Sequence, residues 1–298
     1  MQYFHGAKQK GPYFEGWYLK HQSPSGRSLA LIPAFHAGPE GRSASLQVLT
    51  EEGSWWVEYP EDQFQASSRR FQVRLGSSQF GSQGLRADIR QEGLSLRGSL
   101  RYGPFTALQS DIMGPFRFLP AMQCAHGVYS MGHRLEGTLV LNGEVLDFTG
   151  GTGYVETDRG RSFPDGYLWT QCVWPGTEGG SLMLAIASIP LPLGGFTGCI
   201  CAVVHRGRAY RLATYRGAVI EHWSASGGSI RQGKYRLEVT LLEEQRLPLR
   251  APAEGRMERT IHESLRATVR YRFWRGETLL FRHMDRQASF EYARSDAP

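Results

Sequence analysis

Tyr235-Arg236-Leu237-Glu238-Val239-Thr240-Leu241 alternates apolar and polar residues without a break. A side-chain period of two belongs to a strand, and one apolar face with one wet face is the antiparallel pattern. Val269, Tyr271 and Phe273 alternate with Arg270 and Arg272 in the same way, and Phe71, Val73 and Leu75 repeat the pattern. Leu139-Val-Leu-Asn142-Gly143-Glu-Val-Leu146 carries the Asn-Gly pair that a type I′ hairpin turn requires. Val203-Val-His-Arg206-Gly207-Arg-Ala-Tyr210 reads as a second, weaker hairpin. No stretch sustains a helical period over three turns. With 36 Gly and 15 Pro in 298 residues, the chain is punctuated into short elements. The class expected is all-β with little helix, as barrels or sandwiches.

A faint internal repeat points to duplication. Phe14-Glu-Gly16-Trp17-Tyr18-Leu19 followed by Ser28-Leu-Ala-Leu-Ile-Pro33 is echoed by Pro164-Asp-Gly166-Tyr167-Leu168-Trp169 followed by Ser181-Leu-Met-Leu-Ala-Ile186. Ile89-Arg-Gln-Glu-Gly93 and Ile230-Arg-Gln-Gly233 each precede an alternating run. Order is kept with small indels, so two β halves are expected, 1–150 and 151–298, with a seam near Gly150-Gly151.

Net charge is +6, spread thinly: 14 basic against 13 acidic residues up to position 150, and 20 against 15 after it. No basic stripe or nucleic-acid module is present, so nucleic acid is not an expected partner. Weak attraction to an anionic membrane surface is compatible with this charge. Cys124, Cys172, Cys199 and Cys201 form no Cys-x-x-Cys pair and read as reduced thiols. They suit a cytoplasmic protein, peripheral to a membrane at most. Met1–Lys10 has no apolar run of the secretory kind. The uncharged segment from Gly179 to Val204 holds Pro190, Pro192, Gly194 and Gly195 at its middle. It reads as two buried strands, Ser181–Ile189 and Phe196–Val204, because a membrane span needs roughly 20 unbroken apolar residues.

Several motifs fail. Gly228-Ser-Ile-Arg-Gln-Gly233-Lys234 is followed by Tyr235, so a P-loop would lack its magnesium-binding hydroxyl. Gly150-Gly-Thr-Gly153 precedes no helix. His262-Glu263 has Arg266 where a zincin needs its second His. No metal or cofactor is expected.

Two segments combine acids with large aromatics: Tyr13-Phe-Glu15-Gly-Trp17-Tyr18-Leu-Lys20, and Gly153-Tyr154-Val-Glu156-Thr-Asp158-Arg159 with Gly166-Tyr167-Leu-Trp169-Thr-Gln171-Cys172. As strands, Tyr154, Glu156 and Asp158 share a face, as do Tyr167, Trp169 and Gln171. Such a face suits a pocket for an apolar ligand with a few placed polar groups. The competing reading is a buried ion pair of Glu156 or Asp158 with Arg159 or Arg161.

The strings Phe14-Glu-Gly-Trp-Tyr18, Gly153-Tyr-Val-Glu156, Phe163-Pro164, Trp169-Thr-Gln-Cys172 and Leu249-Arg-Ala-Pro252 resemble the tocopherol cyclase family, over about residues 12–290. The resemblance implies two lipocalin-like, calycin-type β halves. It also implies cofactor-free closure of a chromanol ring on a prenylated quinol, an intramolecular lyase or isomerase reaction. The chain departs from plant members, which carry Asn-Trp where this chain has Asp158-Arg159 and a plastid transit peptide.

That chemistry needs an acid to protonate a trisubstituted alkene, aromatic faces to stabilise the cation, and a base for the attacking phenol. Glu15, Glu156 and Asp158 are the candidate acids and bases. Trp17, Tyr18, Tyr154 and Trp169 are the aromatic candidates for substrate binding, and Gln171, His126 and Glu263 are polar ones. The expected ligand is a lipophilic small molecule such as a prenylated quinol, with no obligate protein partner. The alternative is a calycin-type carrier that binds a lipophile and catalyses nothing.

Overall fold

A computed structural model of the chain describes residues 3–119, 122–176, 179–191 and 194–294. Among these the only helix is four 3-10 turns: Gly6–Lys8, Glu61–Gln63, Gly114–Phe118 and Thr214–Arg216. The remaining regular structure is two antiparallel sheets, so the fold is all-β. No helix among the described residues is long and apolar enough to cross a membrane.

The first sheet runs Ser54–Pro60, Gly41–Thr50, Ser28–Gly38, Tyr13–Gln22, Thr152–Gly160, Cys124–Leu141, Leu94–Tyr102, Gly84–Gln91, Ser78–Gly81, Gln72–Leu75, Phe64–Ala66. Glu144–Asp147 pairs beside this path, on Cys124–Leu141. The second runs Arg208–Ala213, Gly194–His205, Gly180–Leu191, Tyr167–Trp174, Thr278–Ala293, Arg256–Arg275, Tyr235–Glu243, Gly227–Gln232, Val219–Ser224. Both sheets follow one plan. A four-strand meander is joined to its remaining strands by the last strand to arrive, Thr152–Gly160 in one and Thr278–Ala293 in the other.

Each sheet rolls around its own core. In the first, Phe64 on the far edge strand lies 5.2 Å from Phe35 and stacks on Trp17 at 6.4 Å, ring centre to ring centre. In the second, the Gln232 amide accepts from Ala213 N at 3.0 Å and donates to Arg211 O at 3.3 Å, tying Gly227–Gln232 to the Arg208–Ala213 edge. Leu168, Ile186, Ile230, Phe273 and Phe290 fill that core.

The chain does not divide at one position. One compact unit takes everything up to Ala107, then His126–Phe163 and Arg250–Arg259; the other takes Leu108–Ala125, Pro164–Leu249 and the chain from Thr260 on. Thr152–Gly160 belongs to the first unit because its backbone completes that sheet between Tyr13–Gln22 and Cys124–Leu141.

Local signals translate directly. Asn142 and Gly143 have φ of 48° and 90°, and Arg206 and Gly207 have 49° and 72°, so both hairpins turn through left-handed pairs. The apolar segment forms Gly180–Leu191 paired with Gly194–His205; Pro192 and Leu193 lie outside the described residues. Cys172, Cys199 and Cys201 are buried free thiols, and Cys124 is half-buried.

One glycine is a matter of space. A Cβ on Gly153 would lie 2.4 Å from His133 Nε2. The imidazole is boxed by Tyr102 and Phe105, with ring centres at 4.6 and 4.7 Å, so it has nowhere to retreat. Gly153→Ala should cost about 1–3 kcal/mol, as overpacking does. An unchanged urea midpoint would show that the His133 ring moves after all.

Candidate functional site

The site is built on Thr152–Gly160. In register with Tyr13–Gln22, Tyr18 lies opposite Glu156, Gly16 opposite Asp158 and Lys20 opposite Tyr154. The pleat therefore puts Tyr18, Lys20, Tyr154, Glu156 and Asp158 on one face. Glu15, Trp17, Leu19, Val155 and Thr157 take the other, where Trp17, Leu19 and Val155 belong to the hydrophobic core.

His126, on Cys124–Leu141, sits between the two carboxylates. Its Nδ1 is 2.9 Å from Asp158 Oδ1, a hydrogen bond. Its Nε2 is 3.3 Å from Glu156 Oε2, an ion-pair contact off the hydrogen-bond line. Tyr154 donates its hydroxyl to the same Oε2 at 2.5 Å. Glu156 Oε1 has no hydrogen-bond partner among the described residues. The side chains grade from 22% exposed at Asp158, through 10% at His126, to 5% at Glu156.

Burial alone would lower the His126 pKa, but the Asp158 and Glu156 carboxylates outweigh it and hold it well above 6.5. Burial raises the Glu156 pKa above its ordinary 4.5, against the pull of His126. Burial, reinforced by Glu156, also raises Tyr154, so its phenol stays a donor. The result is a line of acid–base groups running from a partly wet carboxylate to a buried one. His126, Glu156 and Asp158 also bring three potential metal-ligand atoms within 4.8 Å of one another. The two carboxylates that stabilise a protonated His126 would equally stabilise a bound cation, so a proton and a metal would compete for this imidazole.

Glu15 and Trp17 are not brought to this face. Glu15 is fully buried and accepts from His5 N at 2.8 Å, Gly6 N at 3.2 Å and the Tyr13 hydroxyl at 2.8 Å, with His5 Nδ1 at 2.8 Å on its other oxygen. It clasps the N-terminal segment. Trp17 packs among Phe4 and Phe64.

In the second unit, Tyr167, Trp169 and Gln171 share a face of Tyr167–Trp174. Glu291 lies opposite Trp169, Ser289 opposite Gln171, and Glu263 opposite Glu291. The Tyr167 hydroxyl donates to Glu291 Oε2 at 2.8 Å, across two neighbouring strands. Gln171 is fully buried, and neither of its amide atoms has a hydrogen-bond partner among the described residues. Sequence reasoning missed Glu291. The signal was there in Ser289-Phe-Glu291-Tyr292, which has the same acid–aromatic density as Phe14–Leu19.

No protein-family model matches the chain, and no curated protein matches it. Solved structures do. Kievitone hydratase from Nectria haematococca aligns at 11% identity over 99% of this chain and 94% of that one, with a TM-score of 0.56. An AttH-type protein from Nitrosomonas europaea aligns at 14% identity over 94% and 91%, with a TM-score of 0.53. CghA crystallised with Sch210972 aligns at 11% identity over 96% and 90%, with a TM-score of 0.60. At these identities the likeness is one of fold.

Proposed function

We propose that the protein is an acid–base catalyst that protonates an isoprenoid alkene of a lipophilic substrate, with Glu156 as the acid. The observation that carries this reading is the buried line Asp158–His126–Glu156–Tyr154. Tyr154 and His126 both approach Oε2, so the protonated carboxyl holds its hydrogen on Oε1. Transfer of that proton to the less substituted alkene carbon leaves a tertiary cation. The Tyr18 and Tyr154 ring faces stabilise positive charge. A hydroxyl oxygen then bonds the cation, and its proton returns to Glu156. His126 holds the carboxyl in place and, with Asp158, carries protons between it and the partly wet end of the line.

The oxygen decides the reaction class. A phenol on the substrate closes a ring, as the tocopherol cyclase resemblance implies; water gives a hydrate. That a fold neighbour is by name a hydratase supports an addition reaction on this fold. The ring-closing reaction is the one proposed here.

The test is incubation of the purified protein with a prenylated hydroquinone in D2O. One deuterium should appear on the carbon next to the new C–O bond, in a product isomeric with the substrate apart from the label. A product heavier by one water would move the assignment to hydration. Substrate that binds but returns without deuterium would leave a lipophile carrier.

A further inference from the structure

A cavity of about 610 Å³ lies in the first unit, away from Glu156. It opens between the strands Ser28–Gly38, Gly41–Thr50 and Ser54–Pro60 and the segment Arg250–Arg259. His36, in its wall, is opposite Phe14 on the neighbouring strand, whereas Glu156 is opposite Tyr18, four residues further along. The acid–base line described above uses none of the cavity's residues.

The wall is aromatic and stacked. The His36 and Trp56 rings lie 6.2 Å apart at 29°, and the Arg250 guanidinium sits 4.9 Å from the Trp56 ring centre. His36 is 6% exposed, and its Nε2 is 2.7 Å from Ser45 Oγ. Burial lowers its pKa to about 4, so it adds a flat ring without charge. Tyr59 and Met257 extend the apolar lining.

Two cations and three carboxylates line the cavity: Arg250 and Arg256, with Glu40, Glu58 and Glu258. Arg256 donates a hydrogen bond to Glu258, and the other two contacts are longer. Arg250 is 3.9 Å from Glu58, and Arg256 is 3.7 Å from Glu40 and 3.2 Å from Glu258. Those glutamates are 74%, 88% and 63% exposed, so water and salt screen them. The backbone that carries them is held. Gln47 donates to Arg250 O at 2.9 Å and accepts from Arg250 N at 2.8 Å. Ser162 Oγ accepts from Glu254 N at 2.8 Å, and Gly255 N donates to Arg161 O at 2.8 Å. The backbone beside both guanidiniums is therefore pinned before any ligand arrives, which lowers the ordering cost of binding.

We propose that this cavity is a second binding site, for a small aromatic carboxylate whose ring lies against Trp56 and whose carboxylate is taken by Arg250 and Arg256. A planar guanidinium matches a carboxylate in two parallel hydrogen bonds, and a ring-lined wall favours a flat apolar body. The volume is within the range of small-molecule sites.

The probes are 4-hydroxybenzoate, benzyl alcohol, tyramine and inorganic phosphate, titrated by calorimetry into the full chain. 4-Hydroxybenzoate should bind one per chain with a Kd of about 1 mM or tighter. Benzyl alcohol and phosphate should each bind at least about tenfold more weakly, since each offers half of the recognition. Arg250→Gln, Arg256→Gln and Trp56→Leu should each weaken the acid by about tenfold. The two arginine variants change half-exposed side chains, and a thermal melt checks their folding, so the test stands even if the tryptophan variant does not fold. The proposal is overturned by the absence of saturable binding, by variants that bind like the parent, by phosphate matching the acid, or by tyramine binding more tightly than it.

Discussion

Glu156→Gln should leave a folded protein that turns over about 10²–10⁴-fold more slowly, the usual loss when one general acid is removed. The amide is nearly isosteric and still offers an oxygen to the Tyr154 hydroxyl. His126 keeps its counter-charge, because Asp158 remains at 2.9 Å. The melting temperature should therefore hold while product formation falls. Asp158→Asn should do the reverse in part. It removes the strongest support of the His126 charge, so the pH profile of turnover should shift to lower pH. A Glu156→Gln protein that fails to fold would make the pair structural, since breaking a buried pair costs about 3–5 kcal/mol. A stable Glu156→Gln protein with full turnover would remove Glu156 from the chemistry altogether.

The second large effect is acid lability of the first unit. His21, His36 and His133 are all buried there, and burial lowers their pKa values to about 4, about 4 and about 3. In the unfolded chain a histidine titrates near 6.5, so below that pH the unfolded state binds more protons than the native one. The stability these neutral rings carry is complete above about pH 6.5 and is lost as pH falls toward 4. Each is worth on the order of 3 kcal/mol from its shift, against about 5–15 kcal/mol for a whole domain. His126 runs the other way. Its native pKa is raised, so its contribution is present below about 6.5 and fades as pH rises through the native value. Calorimetric melts from pH 7.5 to 4 should show a steep fall confined to the acid side. A melting temperature unchanged at pH 4.5 would mean that these rings reach water or a partner.

Fold class could be read from the sequence because period-two alternation is a local property. Tyr235–Leu241 lies within the strand Tyr235–Glu243, and Val269, Tyr271 and Phe273 are fully buried as their pattern demands. Alternation also separates Glu15 and Trp17 from Tyr18, but it does not say which set meets the core. Only the return of Phe64 across the sheet decides that, and it is a long-range event. The common face of Tyr154, Glu156 and Asp158 was likewise local. The place of His126 was not: it depends on Cys124–Leu141 pairing with Thr152–Gly160, strands that a hairpin and some ten residues keep apart in the chain. Nothing in Cys-Ala-His126-Gly signals a bridge between two carboxylates. The motif Leu249-Arg-Ala-Pro252 stood out in the sequence without a role; its arginine is clamped by Gln47, some two hundred residues earlier.

The scattered membership of the first unit also sets a timetable for synthesis. Its meander leaves the ribosome early, yet the unit includes Arg250–Arg259, about one hundred residues after Phe163. At typical elongation rates those residues take roughly 5–20 s to appear. Throughout that interval the first unit waits without its last segment, with the Gln47 amide and the Ser162 hydroxyl unengaged by their later partners. A nascent chain paused before residue 250 would be a target for holding chaperones, and a gene cut after codon 163 would encode an unfinished unit.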